Sequence, residues 1–206
     1  MIKPLLDLIF PPKCEVCRRP GRDALCPACF GQIKFLNPQL GVYSAAVYDG
    51  ALKEAIHRFK FNKRKNLAEP LGVLLVQYVS QAPGLKMAEV EAIIPVPLHH
   101  KRRRERGFNQ AELLAKVVGR YYDKPVINAL ERQKNTHAQF DLPRDARFAN
   151  IREAFRVSVP RSVHNRKVML LDDIYTTGST VGECVRALKT AGAKRIEILT
   201  LSRAVE

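Results

Sequence analysis

Two adjacent carboxylates followed by a run of small polar residues, Asp172-Asp173-Ile174-Tyr175-Thr176-Thr177-Gly178-Ser179-Thr180, form the stretch best equipped for chemistry. The hydroxyls and glycine of Thr176 to Thr180 suit an anion, because a helix start offers unpaired backbone N–H groups and a partial positive charge. Asp172 and Asp173 would repel a bare phosphate and therefore require another partner, either ribose hydroxyls or a Mg²⁺ ion that offsets their charge. A cap with no ligand needs only one side-chain oxygen, not such a run behind two acids.

A second cluster lies near the N-terminus: Cys14-Glu15-Val16-Cys17, eight residues, then Cys26-Pro27-Ala28-Cys29. Each CxxC pair spans a tight turn that aims two sulfurs at one point, and four thiolates complete a closed, structural zinc site. Two disulfides are the competing reading and need an oxidising compartment. A site for a cytosolic phosphorylated sugar favours zinc. The fifth cysteine, Cys184, falls on an apolar helical stripe and is expected in the core.

The elements that must position these groups follow from periodicity. Val168 to Leu171 reads as a strand buried on both faces, and Val181, Cys184, Val185 and Leu188 as a helix packed on it. The polar turn between them then lies where open α/β sheets bind ligands. A second buried strand, from Ala92, is broken by Pro95 and Pro97 and leads into the basic loop Leu98 to Arg106, which the same rule brings to the same crevice. A diphosphate is its natural ligand; a solvated charge run is the alternative. Asn109 is placed to cap a helix bearing Ala111, Leu114, Ala115 and Val118 and ending at Gly119. Further helices are expected behind Asp49 and over Leu67 to Val79, with extended segments at Tyr43 to Tyr48, Val126 to Leu130, Ala154 to Val157 and Lys194 to Leu201. Residues 131–150 lack periodicity and read as a flexible flap in which His137 is either an acid–base group or an inert loop residue.

A chain of 206 residues with 46% hydrophobic content can bury one full core with a small appendage. No apolar run reaches the ~18 residues of a membrane span. The short apolar stretch Leu5 to Phe10 has no signal cleavage site, so a cytoplasmic protein is expected. The net charge is +15, and residues 95–166 hold 16 Lys and Arg against 7 Asp and Glu, a field that attracts polyphosphates and nucleic acid. Lys60, Lys63, Arg64 and Lys65, beside Phe59 and Phe61, are nucleic-acid candidates, as are Arg102, Arg103 and Arg147; a solvated helix end is the plainer reading of the first cluster.

The strand, acid pair and Thr-Thr-Gly-Ser-Thr loop resemble the phosphoribosyl diphosphate (PRPP) signature of type I phosphoribosyltransferases. With the cysteine pairs, Lys60-Phe61, Val96-Pro97-Leu98, Arg106-Gly107-Phe108-Asn109-Gln110, Gln139, Leu142, Arg147, Asn150 and Phe155, nearly the whole chain resembles the ComF (competence protein F, GntX-like) family. The resemblance implies an α/β fold, a type I phosphoribosyltransferase-like open parallel sheet flanked by helices. It divides the chain into a zinc-binding module at residues 1–36 and a phosphoribosyltransferase-like domain at 37–206. Because no segment after the last strand is left to build a hood, residues 37–90 are read as that region.

Asp172 and Asp173 would face the ribose hydroxyls, with Asp173 stabilising a cationic sugar in an enzyme. Thr176, Thr177, Gly178, Ser179 and Thr180 would hold the 5′-phosphate. Pro97, Leu98 and His99, with Arg102, Arg104 and Arg106, would form the diphosphate loop, as in amidophosphoribosyltransferases. The implied cofactors are structural zinc and Mg²⁺ carried with PRPP. The implied partners are single-stranded DNA, handled during natural transformation, and a helicase-type competence protein. The alternative is an active Mg²⁺-dependent phosphoribosyltransferase with an unidentified nitrogen acceptor.

Overall fold

The computed structural model describes residues 11–38, 41–133 and 153–205. Four strands, β1 (Tyr43–Val47), β2 (Ala92–Pro95), β5 (Lys167–Tyr175) and β6 (Arg195–Arg203), form a parallel sheet in the order β1-β6-β5-β2. Val168, Met169, Leu170 and Leu171 are all buried, as expected of a central parallel strand covered on both sides. β5 does not stop with this apolar run: β6 pairs alongside as far as Tyr175↔Arg203, so the acid pair sits on the strand end and not in the loop beyond it.

The described residues form six α-helices: α1 (Pro27–Phe30), in the cysteine module, and α2 (Gly50–Phe61), α3 (Ala68–Gln81), α4 (His100–Arg106), α5 (Gln110–Tyr122) and α6 (Ser179–Thr190) around the sheet. On one face Met169, Leu171, Leu199 and Leu201 pack with Leu52, Ile56 and Phe59 of α2, Leu71, Leu74 and Leu75 of α3, and Leu114 and Val118 of α5. On the other, Val168 and Leu170 pack with Val181, Cys184 and Leu188 of α6. Cys14, Leu25, Cys29 and Ile33 join the first cluster, so the cysteine module shares the core of α2 and α3. The expectation of an α/β sheet flanked by helices, and of Cys184 as core, is met.

Local departures have local causes. The basic run expected as a loop closes into α4, since Arg and Lys are good helix formers. α5 runs past Gly119 to Tyr122 because Asp123, at φ +51°, and not Gly119 takes the left-handed cap; the missing Cβ of Gly119 instead gives room to the Lys124 carbonyl, from which a methyl would lie 2.7 Å. The strand expected at Val126 to Leu130 reduces to a single bridge, Ile93↔Val126, while β3 (Leu130–Arg132) and β4 (Phe155–Val157) form a separate antiparallel ribbon. Beyond β1, Phe35 bridges Ala46, with Leu36 N–H donating to the Ala45 carbonyl and Val47 N–H to that of Lys34, so the outer edge of the sheet is paired. From residue 134 on, the segment read as a flap, with His137, Gln139, Leu142, Arg147 and Asn150, lies outside the described residues until 153. Among the described residues no helix is long and apolar enough to cross a membrane.

Candidate functional site

The carboxyl ends of β2 and β5 open into a hollow of about 510 Å³. Asp172, Asp173, Thr176 and Thr180 line it from β5 and α6, Val96, Pro97 and Leu98 from the turn after β2, and Arg102, Glu105 and Arg106 from α4. The opposite wall is Tyr48, Lys60, Phe61 and Lys63, with Arg132 from β3 completing the rim. Thus the acidic and basic stretches that the sheet rule brings together do share one crevice.

The polar turn is built to leave donors open. Gly178, at the N-cap of α6, has φ +77° and no side chain to cap the helix. Among the described residues the N–H groups of Thr176, Thr177 and Gly178 donate to no backbone carbonyl. Thr177 Oγ1 and Ser179 Oγ lie 2.7 Å apart and hold each other, and Ser179 is buried at 4% exposure. Thr176 and Thr180 reach the hollow; Thr177, Gly178 and Ser179 are not on its wall. Gly178 is required twice over, by its left-handed backbone and by the Tyr175 ring, with which a Cβ would collide. Gly178→Ala is therefore expected to destabilise the fold by about 1–2 kcal/mol, measurable by thermal unfolding.

At the acid pair, the β-pleat sends Asp173 toward the face of α2 and Asp172 toward that of α6. Lys60 Nζ meets Asp173 Oδ2 at 2.5 Å, with side chains 14% and 5% exposed. The contact is an ion pair without hydrogen-bond alignment, since Asp173 Oδ2 has no aligned donor. Asp172 Oδ1 accepts from Asp173 N–H at 2.8 Å, and the Asp173 carbonyl from Ser202 Oγ at 3.1 Å. Burial and the charge of Asp173 hold the Asp172 carboxyl well above its ordinary 3.8. Folding then takes up a proton as pH rises past the unfolded value, so this group lowers stability across that window and keeps the penalty above it. Asp172→Asn is expected to raise the unfolding temperature at neutral pH, with the gain vanishing below the carboxyl's ordinary value; melting curves across pH check this.

The basic side is organised by the string Arg106 to Gln110. Gly107 ends α4 at φ +81°, and Phe108 packs on Phe59 with ring centroids 5.3 Å apart. Asn109 Oδ1 accepts from Ala111 N–H to cap α5, while its Nδ2 donates to the Val96 carbonyl at 3.0 Å and fixes the turn beside Pro97. Arg106 Nη1 donates to Gln110 Oε1, and its guanidinium lies 5.5 Å from the centre of the Phe61 ring, which is 63% exposed. His99 is buried, its Nδ1 accepting from Lys101 N–H; burial and the positive neighbours hold its pKa down. His99 and Arg104 are not on the wall of the hollow, and Arg103 pairs with Glu112 of α5. Of the first nucleic-acid cluster, Lys60 and Lys63 enter the hollow, Arg64 pairs with Glu15, and Lys65 lies over the Phe108 ring. Phe59, read beside them, is fully buried and offers no stacking surface. Reading the sequence missed Tyr48 and the Lys60–Asp173 pair, which join remote segments.

The four N-terminal cysteines converge, all sulfurs lying within 4.8 Å of one another. Cys14 Sγ and Cys29 Sγ are 3.9 Å apart, and Cys17 Sγ and Cys26 Sγ 3.6 Å. A tetrahedral zinc with Zn–S bonds of about 2.3 Å needs sulfurs about 3.8 Å apart, and none of the cysteines is in a disulfide. Burial pushes the Cys14 thiol up, but N–H groups of Cys26, Cys17 and Val16 outweigh it and bring its pKa to about 6. Burial and the neighbouring sulfurs push Cys29 up to about 12. Between these ligands Glu15 is buried, paired with Arg64 and accepting from Asn66 Nδ2 at 3.0 Å, so it ties the cysteine module to the loop that follows Lys60. Mg²⁺ fits the acid pair less well: Lys60 already faces one oxygen of Asp173, and a backbone N–H holds one of Asp172.

Comparison with known proteins agrees with this geometry. Residues 5–41 match the double zinc ribbon domain and residues 106–204 the phosphoribosyl transferase domain, which defines the class as a phosphoribosyltransferase-type α/β protein with a zinc ribbon. The ribbon stretch holds four cysteines, the ligands of a single tetrahedral ion. "Competence protein F" of Haemophilus influenzae is 38% identical over 76% of this chain and 70% of its own. "DNA utilization protein YhgH" of Escherichia coli K12 is 32% identical over 92% of this chain and 89% of its own, and "Competence protein ComFC" of Bacillus subtilis 30% identical over 92% and 70%. The chain belongs to the ComF family of competence proteins.

Proposed function

We propose that the hollow binds a phosphoribosyl group, as PRPP or a related sugar phosphate, and that the chain handles single-stranded DNA during DNA uptake. The observation that carries the first part is the meeting of Thr176 and Thr180, at the start of α6, with an acid pair in one hollow that Lys60, Lys63, Arg102, Arg106 and Arg132 also line. The 5′-phosphate lies at the start of α6, near Thr176 and Thr180, and the ribose hydroxyls donate to Asp172 and Asp173. The diphosphate lies along Pro97 and Leu98 toward Arg102 and Arg106. Residues 37–90, which supply Tyr48, Lys60, Phe61 and Lys63, act as the hood of a domain spanning 37–206, with residues 1–36 as the zinc module. The DNA-handling part is supported by the competence and DNA-utilization names of the relatives and by the net charge of +15.

Titration calorimetry with PRPP tests the site, and saturable binding that disappears on Thr176→Glu is expected. Single-strand binding is expected to weaken steeply with salt, and charge reversal at Arg102 and Arg104 to shallow the log–log slope by about 0.7 for each phosphate no longer neutralised. No change in that slope would count against these residues as the DNA track. Steady release of diphosphate from PRPP with a nitrogen acceptor, stopped by Asp173→Ala, would establish transfer in addition to binding.

A further inference from the structure

We propose that Lys60 is the resident counter-ion of the acid pair, standing where a divalent cation would stand, so that the hollow binds a phosphoribosyl group without metal. The inference rests on the phosphoribosyl reading of the site and specifies which charged form of the ligand it takes.

Lys60 reaches Asp173 because α2 packs its apolar face on the sheet. Phe59, its immediate neighbour, is fully buried, and this anchors the end of the helix over the carboxyl end of β5. The ammonium and the carboxylate are both nearly excluded from solvent, at 14% and 5% exposure, so water screens their attraction little. With Asp173 Oδ2 facing Lys60 and Asp172 Oδ1 holding the Asp173 N–H, one oxygen of each carboxylate is left to accept. Two acceptors on adjacent residues match the two hydroxyl donors of a ribose cis-diol, which brings no charge to be neutralised. A divalent ion would instead meet an ammonium already in its place, with Lys63 and Arg106 lining the same hollow and only one oxygen of each carboxylate left to bind it. The charge on the ligand's phosphates is answered by the start of α6 and by the arginine wall, which is the other task a bound Mg²⁺ would have.

The test uses the full zinc-loaded chain in buffer stripped of Mg²⁺ on a resin, without soluble chelator, so that the cysteine site keeps its metal. The probes are ribose 5-phosphate and PRPP, titrated calorimetrically with and without millimolar Mg²⁺. For ribose 5-phosphate the wild type is expected to change its affinity by no more than about twofold on addition of Mg²⁺, whereas Lys60→Met loses on the order of tenfold in metal-free buffer. Added Mg²⁺ should restore part of that loss, because the carboxylates vacated by the ammonium then accept the divalent ion. Lys60→Arg keeps the charge and should stay metal-independent, which decides the matter if Lys60→Met does not fold. Tenfold dependence of the wild type on Mg²⁺, or an unchanged Lys60→Met in metal-free buffer, would overturn the assignment while leaving the phosphoribosyl site standing. Absence of binding by either probe under both conditions would overturn the site itself.

Discussion

Cys14→Ser is expected to abolish stoichiometric zinc and to destabilise the whole chain by about 3 kcal/mol or more, not merely to loosen its first residues. The reason is the shared core: Cys14 and Cys29 are buried in the same cluster as Leu52, Ile56 and Leu71, so the cysteine turns cannot open without uncovering the α2 face. Metal analysis and denaturant unfolding measure the two effects, and a zinc-free variant of unchanged stability would refute the coupling. Acid should act in the same direction, since every ligand must lose its proton to bind. Cys14, brought to about 6, is already poised to do so, whereas Cys29, pushed up to about 12, releases its proton to solvent only when the metal displaces it. Through Glu15, which holds Arg64 and Asn66, the same variant should also loosen the loop after Lys60 and weaken binding in the hollow.

Asp173→Ala should have the second large effect, on two readouts that separate. It leaves Lys60 buried without its partner, a situation that costs about 3–5 kcal/mol when one member of a buried pair is removed. On the phosphoribosyl reading proposed above it also removes an acceptor for the sugar, so binding of PRPP is expected to fall by on the order of a hundredfold. The pair Lys60→Met with Asp173→Leu should recover most of the stability, because a buried ion pair can be exchanged for apolar groups of similar volume at little cost. It should recover none of the binding. Unfolding curves and calorimetry on the three variants decide this, and recovery of binding in the double variant would show that the carboxylate does not touch the sugar.

The sheet was legible in sequence because Ala92 to Ile94 and Val168 to Leu171 are apolar runs too short for helices, and helical spacing identified α2, α3, α5 and α6. The convergence of Asp172, Asp173, Pro97, Arg102 and Arg106 on one hollow followed from the strand-end rule alone. What remained hidden depends on contacts between remote segments. The length of β5 is fixed by pairing with β6, beyond what its own residues indicate. His99 looks like a loop residue but is drawn inward as the cap of α4, because Lys101 N–H needs an acceptor. Lys60 reads as one cation in a solvated cluster until α2 is docked and places it on Asp173.

The paired outer edge of β1 carries a consequence for the metal-depleted chain. An uncovered parallel edge of this kind, bearing Ser44, Ala45 and Ala46, is a template on which another copy can add a strand, and the strip that guards it, Lys34 to Leu36, directly follows the cysteine turns. Loss of zinc should therefore make the protein sticky as it weakens the shared core: light scattering should rise together with the fall in stability. A lysine at Ala46 would not be tolerated in the buried strand, so the strip from Lys34 to Leu36, and not edge charge, is what covers this edge.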